Sequence, residues 1–180
     1  MRENAVILVK YALACQDLGI VPIIEPEVLI DGDYDIEKCY EVTARNFDIL
    51  FSELESSEVF VPGLILKPNM VIAGKNAPKA SHEDVARMTL RCLREHVAPF
   101  IGGIVFLSGG QDSADATMNL NAMHQESPLP WPLTFSYARA IQNPALEAWA
   151  KNPLDVAGAQ KLLLMGAKNN SDASIGKYKQ

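Results

Sequence analysis

The stretch LILKPNMV (64–71) sets a short apolar run directly against a lysine. Leu64, Ile65 and Leu66 are too few for a helix and read as a buried strand that Lys67 closes. Two other runs end in the same manner. Upstream, VPII (21–24) ends at Glu25, with Glu27 two positions further on; downstream, IVFL (104–107) ends at Ser108, followed by Gly109 and Gly110. Glu25 and Lys67 are 42 positions apart, and Lys67 and Ser108 are 41 apart, with no sequence repeat behind the spacing. The intervals carry helical signals. The turn DGDYD (31–35) opens a helix with Ile36, Tyr40, Phe47, Leu50, Phe51 and Leu54 on one side. Ser81 caps another, with Glu83 and Asp84 in its first turn and Val85, Met88, Cys92 and Leu93 facing inward. Strands that are apolar throughout, alternating with helices, predict an α/β fold: a parallel sheet covered by helices, built from three βα units.

Outside this frame, residues 3–18 have helical spacing at Ala5, Leu8, Val9, Ala12, Leu13 and Cys15, and Gly19 suits the C-terminal cap. A loop is expected over 74–79 and a helix over 112–123. Pro128, Pro130 and Pro132 mark a further loop, with a short helix starting near Ser136. A last helix is expected over about 155–168. Residues 1–168 form the structured portion, and the polar stretch 169–180 is expected to be loosely ordered.

Composition narrows the function. At 180 residues the chain can bury one sizeable core. A net charge of −6, with 16 Lys and Arg scattered and no basic block, argues against nucleic acid as a partner. Cys15, Cys39 and Cys92 form no CxxC pair and fit a reducing compartment. His82, His96 and His124 lack zinc-ligand spacing, so no metal is expected. The apolar run AVILV (5–9) is too short to span a membrane and is followed by Lys10, Gln16 and Asp17. The expected location is the cytoplasm, with no membrane partner.

In a parallel sheet the three strand ends share one face, where α/β proteins place their sites. A lysine leaving an apolar strand begins in a setting that disfavours its charged form, and a neutral amine attacks a ketone to give an imine. The same position also suits a lysine that snorkels outward or pairs with a carboxylate. Glu25 and Glu27, two apart, project to one face and suit the proton transfers of imine chemistry, or a salt bridge. Ser108-Gly109-Gly110 offers backbone N–H groups of the kind that bind phosphate, or a plain tight turn. Ser136 and Arg139, early in the helix expected there, suit the second side of a phosphate clamp; Arg139 alone reads equally as a surface ion pair.

VPIIEPEVL with DGDYD (21–35), LILKPNMV (64–71), IVFLSGG (104–110), NLNAM (119–123), LTFSYARA (133–140), ALEAWA (145–150) and GKY (176–178) together resemble the class I, Schiff-base, fructose-bisphosphate aldolases in order and spacing. The resemblance covers nearly the whole chain and implies a TIM (β/α)8 barrel. This chain would supply its C-terminal part: strands six to eight with their helices. It implies reversible cleavage of fructose 1,6-bisphosphate to glycerone phosphate and glyceraldehyde 3-phosphate, in glycolysis and gluconeogenesis, without metal or other cofactor. Lys67 falls on the Schiff-base lysine, Glu25 on the acid/base carboxylate and Glu27 on its auxiliary neighbour. Ser108, Gly109, Gly110, Ser136 and Arg139 fall on positions that hold a substrate phosphate. The phosphorylated sugar is the expected partner, and the full-length family members are commonly homotetramers.

Three departures accompany the resemblance. Ala138 stands where the family usually has glycine before the arginine. Tyr178 matches an earlier tyrosine of the family, not the one ending its mobile tail. Five barrel strands are unmatched, so a truncated form is expected. The alternative expectation is a non-catalytic remnant that binds phosphosugars or associates with full-length aldolase subunits.

Overall fold

The computed structural model describes residues 1–126 and 128–179. Its elements run α1 (Arg2–Asp17), β1 (Ile23–Ile24), α2 (Ile36–Glu55), a 3-10 turn (Val61–Gly63), β2 (Ile65–Leu66), α3 (His82–His96), β3 (Gly103–Phe106), α4 (Ser113–Met123), β4 (Leu133–Phe135), α5 (Arg139–Lys151) and α6 (Val156–Ala173). The strands form one sheet in the order β1-β2-β3-β4, and every neighbouring pair is parallel.

The expected alternation of strand and helix is present, but with four strands where the sequence implied three. The additional strand, Leu133–Phe135, pairs Ile104 with Leu133 and Phe106 with Phe135. Three prolines precede it, and none breaks the ladder: Ile104 donates its N–H to the carbonyl of Pro132 at 2.9 Å. Proline keeps its acceptor while losing its donor, so a sheet margin tolerates it. The helix expected near Ser136 begins at Arg139.

Local chemistry accounts for the helix limits. Asp35, Ser81, Asp112 and Asp155 each accept a backbone N–H of the first turn of α2, α3, α4 and α6. Each such cap is worth about 1 kcal/mol. Helix α1 ends as expected at Gly19, whose φ of 70° is open to glycine, with Ile20 N–H returning to the Cys15 carbonyl at 2.9 Å.

The core lies between the helices and one face of the sheet. Ile24, Leu66, Ile104, Phe106 and Leu133 are buried there against Phe47, Leu50 and Leu54 of α2, Met88 and Leu93 of α3, and Leu120 of α4. Along β1 burial alternates strictly: Pro22, Ile24 and Pro26 are buried, while Val21, Ile23, Glu25 and Glu27 are exposed. Ile65, Lys67, Val105 and Thr134 are likewise only half-buried. One face of the sheet is therefore covered and the other is open. No described helix is long and apolar enough to cross a membrane.

The C-terminal stretch differs from expectation. Helix α6 continues past residue 168 to Ala173, and Asn170 and Ala173 are fully buried. Thr117 donates to Asn170 Oδ1 at 3.2 Å, and Asn170 donates to the Gly166 carbonyl at 2.9 Å. A run of polar residues in sequence thus includes one asparagine used inside. The Tyr178 N–H bonds Asn121 Oδ1 at 3.0 Å. Gln180 lies outside the described residues.

At the end of α4, burial holds His124 below the usual histidine value, and its Nε2 has no partner among the described residues. As pH falls past about 6.5 the unfolded chain therefore takes up this proton first. The associated stability is whole above about 6.5 and is lost as pH falls through the lower folded value. The denaturant midpoint should drop more between pH 7.5 and 5.5 for the wild type than for His124→Gln. Equal drops would remove His124 as the cause.

Candidate functional site

Three backbone bonds continue the sheet just past its paired residues. Lys67 N–H bonds the Ile24 carbonyl at 2.8 Å, Leu107 N–H bonds the Pro68 carbonyl at 3.0 Å, and Ser136 N–H bonds the Phe106 carbonyl at 2.8 Å. Because parallel strands bond at even spacing, these rungs bring Glu25, Lys67, Ser108 and Ser136 to one end of the sheet.

At that end Lys67 Nζ lies 3.1 Å from Glu25 Oε1. The lysine side chain is 19% exposed and the glutamate 50%. The ammonium is thus mostly enclosed while its carboxylate partner reaches the open face. Glu27 shares that face, as the two-residue spacing predicted, and its carboxylate lies beside Gly109: a Cβ there would sit 3.9 Å from Glu27 Oε1. Glu25, Pro26 and Glu27 border a cavity of about 330 Å3 with Asn4 and Leu8 of α1 and Asn46 of α2.

Gly109 and Gly110 both occupy the left-handed region, at φ 57° and 82°. A side chain at Gly110 would also meet Ile30 Cγ2 at 2.9 Å. Both glycines are therefore required by backbone shape. Among the described residues neither glycine N–H donates to a protein acceptor, so both remain available to an anion.

On the next strand, buried Tyr137 anchors the turn. Its hydroxyl donates to the Ala116 carbonyl at 3.1 Å, and burial raises its pKa. Ser136 and Ala138 on either side of it, and Arg139 beyond, are exposed. Ala138 has φ −95°, an ordinary conformation for a residue with a methyl group, and it provides no side-chain cap for α5. The first N–H groups of α5 are thus free of any capping side chain. Arg139 is felt across the site at Asp31. The Lys75 ammonium, by hydrogen bond and charge, and then the Arg139 charge hold the Asp31 carboxyl below the usual carboxylate range.

One participant escaped the sequence reading. Asn69, in the segment KPNMV (67–71), is buried, and its Oδ1 accepts the Val28 N–H at 2.8 Å. Its Nδ2 donates to the Met70 carbonyl at 3.0 Å and to Thr43 Oγ1 at 3.4 Å. This amide ties the segment leaving Glu27 to the segment leaving Lys67. Further along, Lys75 N–H bonds the Ile30 carbonyl at 2.8 Å and Gly74 N–H bonds the Tyr34 carbonyl at 2.9 Å. The two loops are zipped together over their length. An asparagine set among Pro68, Met70 and Val71 was the signal available in sequence.

The structure thus unites Glu25 with Lys67, sets Glu27 beside Gly109, and joins Ser136 to the β3 end. The Arg139 charge acts on Asp31, and Arg139 makes no hydrogen bond with Ser108, Gly109 or Gly110 among the described residues. Among those residues no group of three His, Cys, Asp or Glu side chains is placed to hold a metal ion.

The family model of class-I fructose-bisphosphate aldolases matches residues 1–180. The cytosolic fructose-bisphosphate aldolase 5 of Arabidopsis thaliana is 49% identical over 179 residues, which are 99% of this chain and 50% of that protein. A probable fructose-bisphosphate aldolase class 1 of Xanthomonas campestris pv. campestris is 49% identical over 181 residues, 99% of this chain and 54% of that one. The fructose-bisphosphate aldolase of Plasmodium falciparum, solved with TRAP and a small-molecule inhibitor, superposes with a TM-score of 0.95 at 44% identity, over 99% of this chain and 52% of that chain. The chain spans about half the length of the curated relatives it matches. With every one of its residues inside the family match and nearly half of them identical to these relatives, this chain belongs to the class-I fructose-bisphosphate aldolases.

Proposed function

We propose that this chain carries the Schiff-base half of a fructose 1,6-bisphosphate aldolase site, in which Lys67 forms the imine. The observation that carries the reading is Lys67 Nζ at 3.1 Å from Glu25 Oε1, on a sheet end that also presents the unbonded N–H groups of Gly109 and Gly110.

The chemistry follows from that geometry. Once its proton has passed to Glu25, the Lys67 amine adds to the C2 ketone of the open-chain sugar and gives a carbinolamine. Glu25, within proton-transfer distance of Nζ, takes the amine proton and delivers one to the departing hydroxyl, which leaves as water. The resulting iminium accepts the electron pair of the C3–C4 bond as the C4 hydroxyl loses its proton to a base. Glyceraldehyde 3-phosphate departs, and an enamine remains on Lys67. Protonation at C3 and hydrolysis then release glycerone phosphate. Glu27 serves as an auxiliary carboxylate beside the loop.

A sugar phosphate is held on this reading by the Gly109 and Gly110 N–H groups and Ser108 on one side, and by Ser136 and Arg139 on the other. The order of four parallel strands, one covered face and one open face supports reading the sheet as half of an eight-stranded (β/α)8 barrel. That replaces the sequence expectation of three strands. The whole enzyme is a homotetramer on this reading, working in the cytoplasm.

Borohydride reduction in the presence of glycerone phosphate should attach one stable adduct, located by peptide mass at Lys67 and absent in Lys67→Met. A folded protein without adduct would contradict imine formation and leave the non-catalytic reading, a remnant that binds phosphosugars or full-length aldolase subunits. Arg139→Ala should weaken glycerone phosphate binding on the order of ten-fold or more, the scale of a lost charged hydrogen bond. Unchanged affinity would take Arg139 out of the phosphate site.

A further inference from the structure

The segment NLNAM (119–123) has so far had no function, although Asn119 is only 4% exposed. Both ends of its amide are used. Asn119 Oδ1 lies 2.7 Å from His82 Nδ1, at the first position of α3, and Asn119 Nδ2 donates to Gln111 Oε1 at 2.7 Å. Gln111 Nε2 then donates to the Ser108 carbonyl at 3.1 Å, and the Gln111 N–H donates to the same carbonyl at 3.0 Å. An amide oxygen only accepts, so His82 carries a hydrogen on Nδ1 and the relay has one direction: His82, Asn119, Gln111, Ser108.

The end of that relay matters because a peptide unit is planar and trans. Its carbonyl and the next N–H point to opposite sides. With the Ser108 carbonyl held by Gln111, the Gly109 N–H is turned away from Gln111, and it has no protein acceptor among the described residues. We propose that Asn119 is a positioning residue for anion binding: through Gln111 it fixes the Ser108 carbonyl and so aims the Gly109 N–H at the phosphate. The role rests on the reading of Ser108-Gly109-Gly110 as a phosphate loop. Helices α3 and α4 thereby help to set the geometry of the Ser108-Gly109-Gly110 loop.

The test uses the 180-residue chain with 15N labelling, giving backbone order parameters without ligand and a titration with inorganic phosphate. Asn119→Ala should lower the order parameters of Gly109 and Gly110 and raise the phosphate dissociation constant roughly ten-fold, the scale of one lost buried hydrogen bond. Gln111→Glu, which keeps the acceptor for Asn119 but loses the donor to Ser108, should do the same. The double variant should be no worse than either single one, whereas independent structural effects would add. His82→Gln, which keeps a donor to Asn119, should restore near-wild-type affinity where His82→Phe does not. Unchanged loop order and unchanged phosphate affinity in folded Asn119→Ala overturn the proposal. Loop loosening in a chain whose wild type binds no phosphate supports the positioning and refutes the phosphate reading instead. Should Asn119→Ala fail to fold, Gln111→Glu carries the same comparison.

Discussion

Lys67 N–H to the Ile24 carbonyl, Leu107 N–H to the Pro68 carbonyl and Ser136 N–H to the Phe106 carbonyl are ordinary backbone bonds of 2.8–3.0 Å. They lie where the strands have formally ended, and they decide where every candidate side chain goes. A slip of one residue in β1 or β2 would turn Glu25 or Lys67 into the covered face, because side chains alternate. The register is held from below by that covered face: Ile24, Leu66, Ile104 and Leu133 fit against α2, α3 and α4 in only one phase. Packing on one side of the sheet thus positions the chemistry on the other.

Beyond the rungs the chain uses side-chain amides. Asn69 joins the Glu27 and Lys67 loops, and Asn121 receives the Tyr178 N–H. Asn69 lies where a strand has stopped and backbone groups lack ladder partners, while Asn121 holds the C-terminal segment from within α4. A side-chain amide offers a donor and an acceptor together, so it satisfies both chain ends at once. Loops held this way are ordered without regular secondary structure, which is what a site built on strand ends requires.

Much of this arrangement was legible in sequence, for physical reasons. Apolar runs ending in Glu25, Lys67 and Ser108 predicted a shared face, and strand alternation put Glu27 beside Glu25. The helix caps at Asp35 and Ser81 were legible because capping is local. What was hidden depended on distant partners. Strand β4 has three residues behind three prolines, and only pairing with β3 makes it a strand. The end of α6 looked polar because the burial of Asn170 depends on Thr117, 53 positions away. The 3.1 Å separation of Lys67 Nζ and Glu25 Oε1 was hidden because it joins side chains 42 positions apart. Family resemblance supplied the roles, but it could not supply Asn69, whose importance lies in a contact 41 positions distant.

The candidate residues form a single site assembled from several strand ends only if they respond to one ligand together. Titration of the 15N-labelled chain with glycerone phosphate tests that directly. The resonances of Lys67, Gly109, Gly110, Ser136 and Arg139 should move together and fit one shared dissociation constant. Shifts confined to one strand end, or separate constants for Lys67 and the glycine loop, would contradict it.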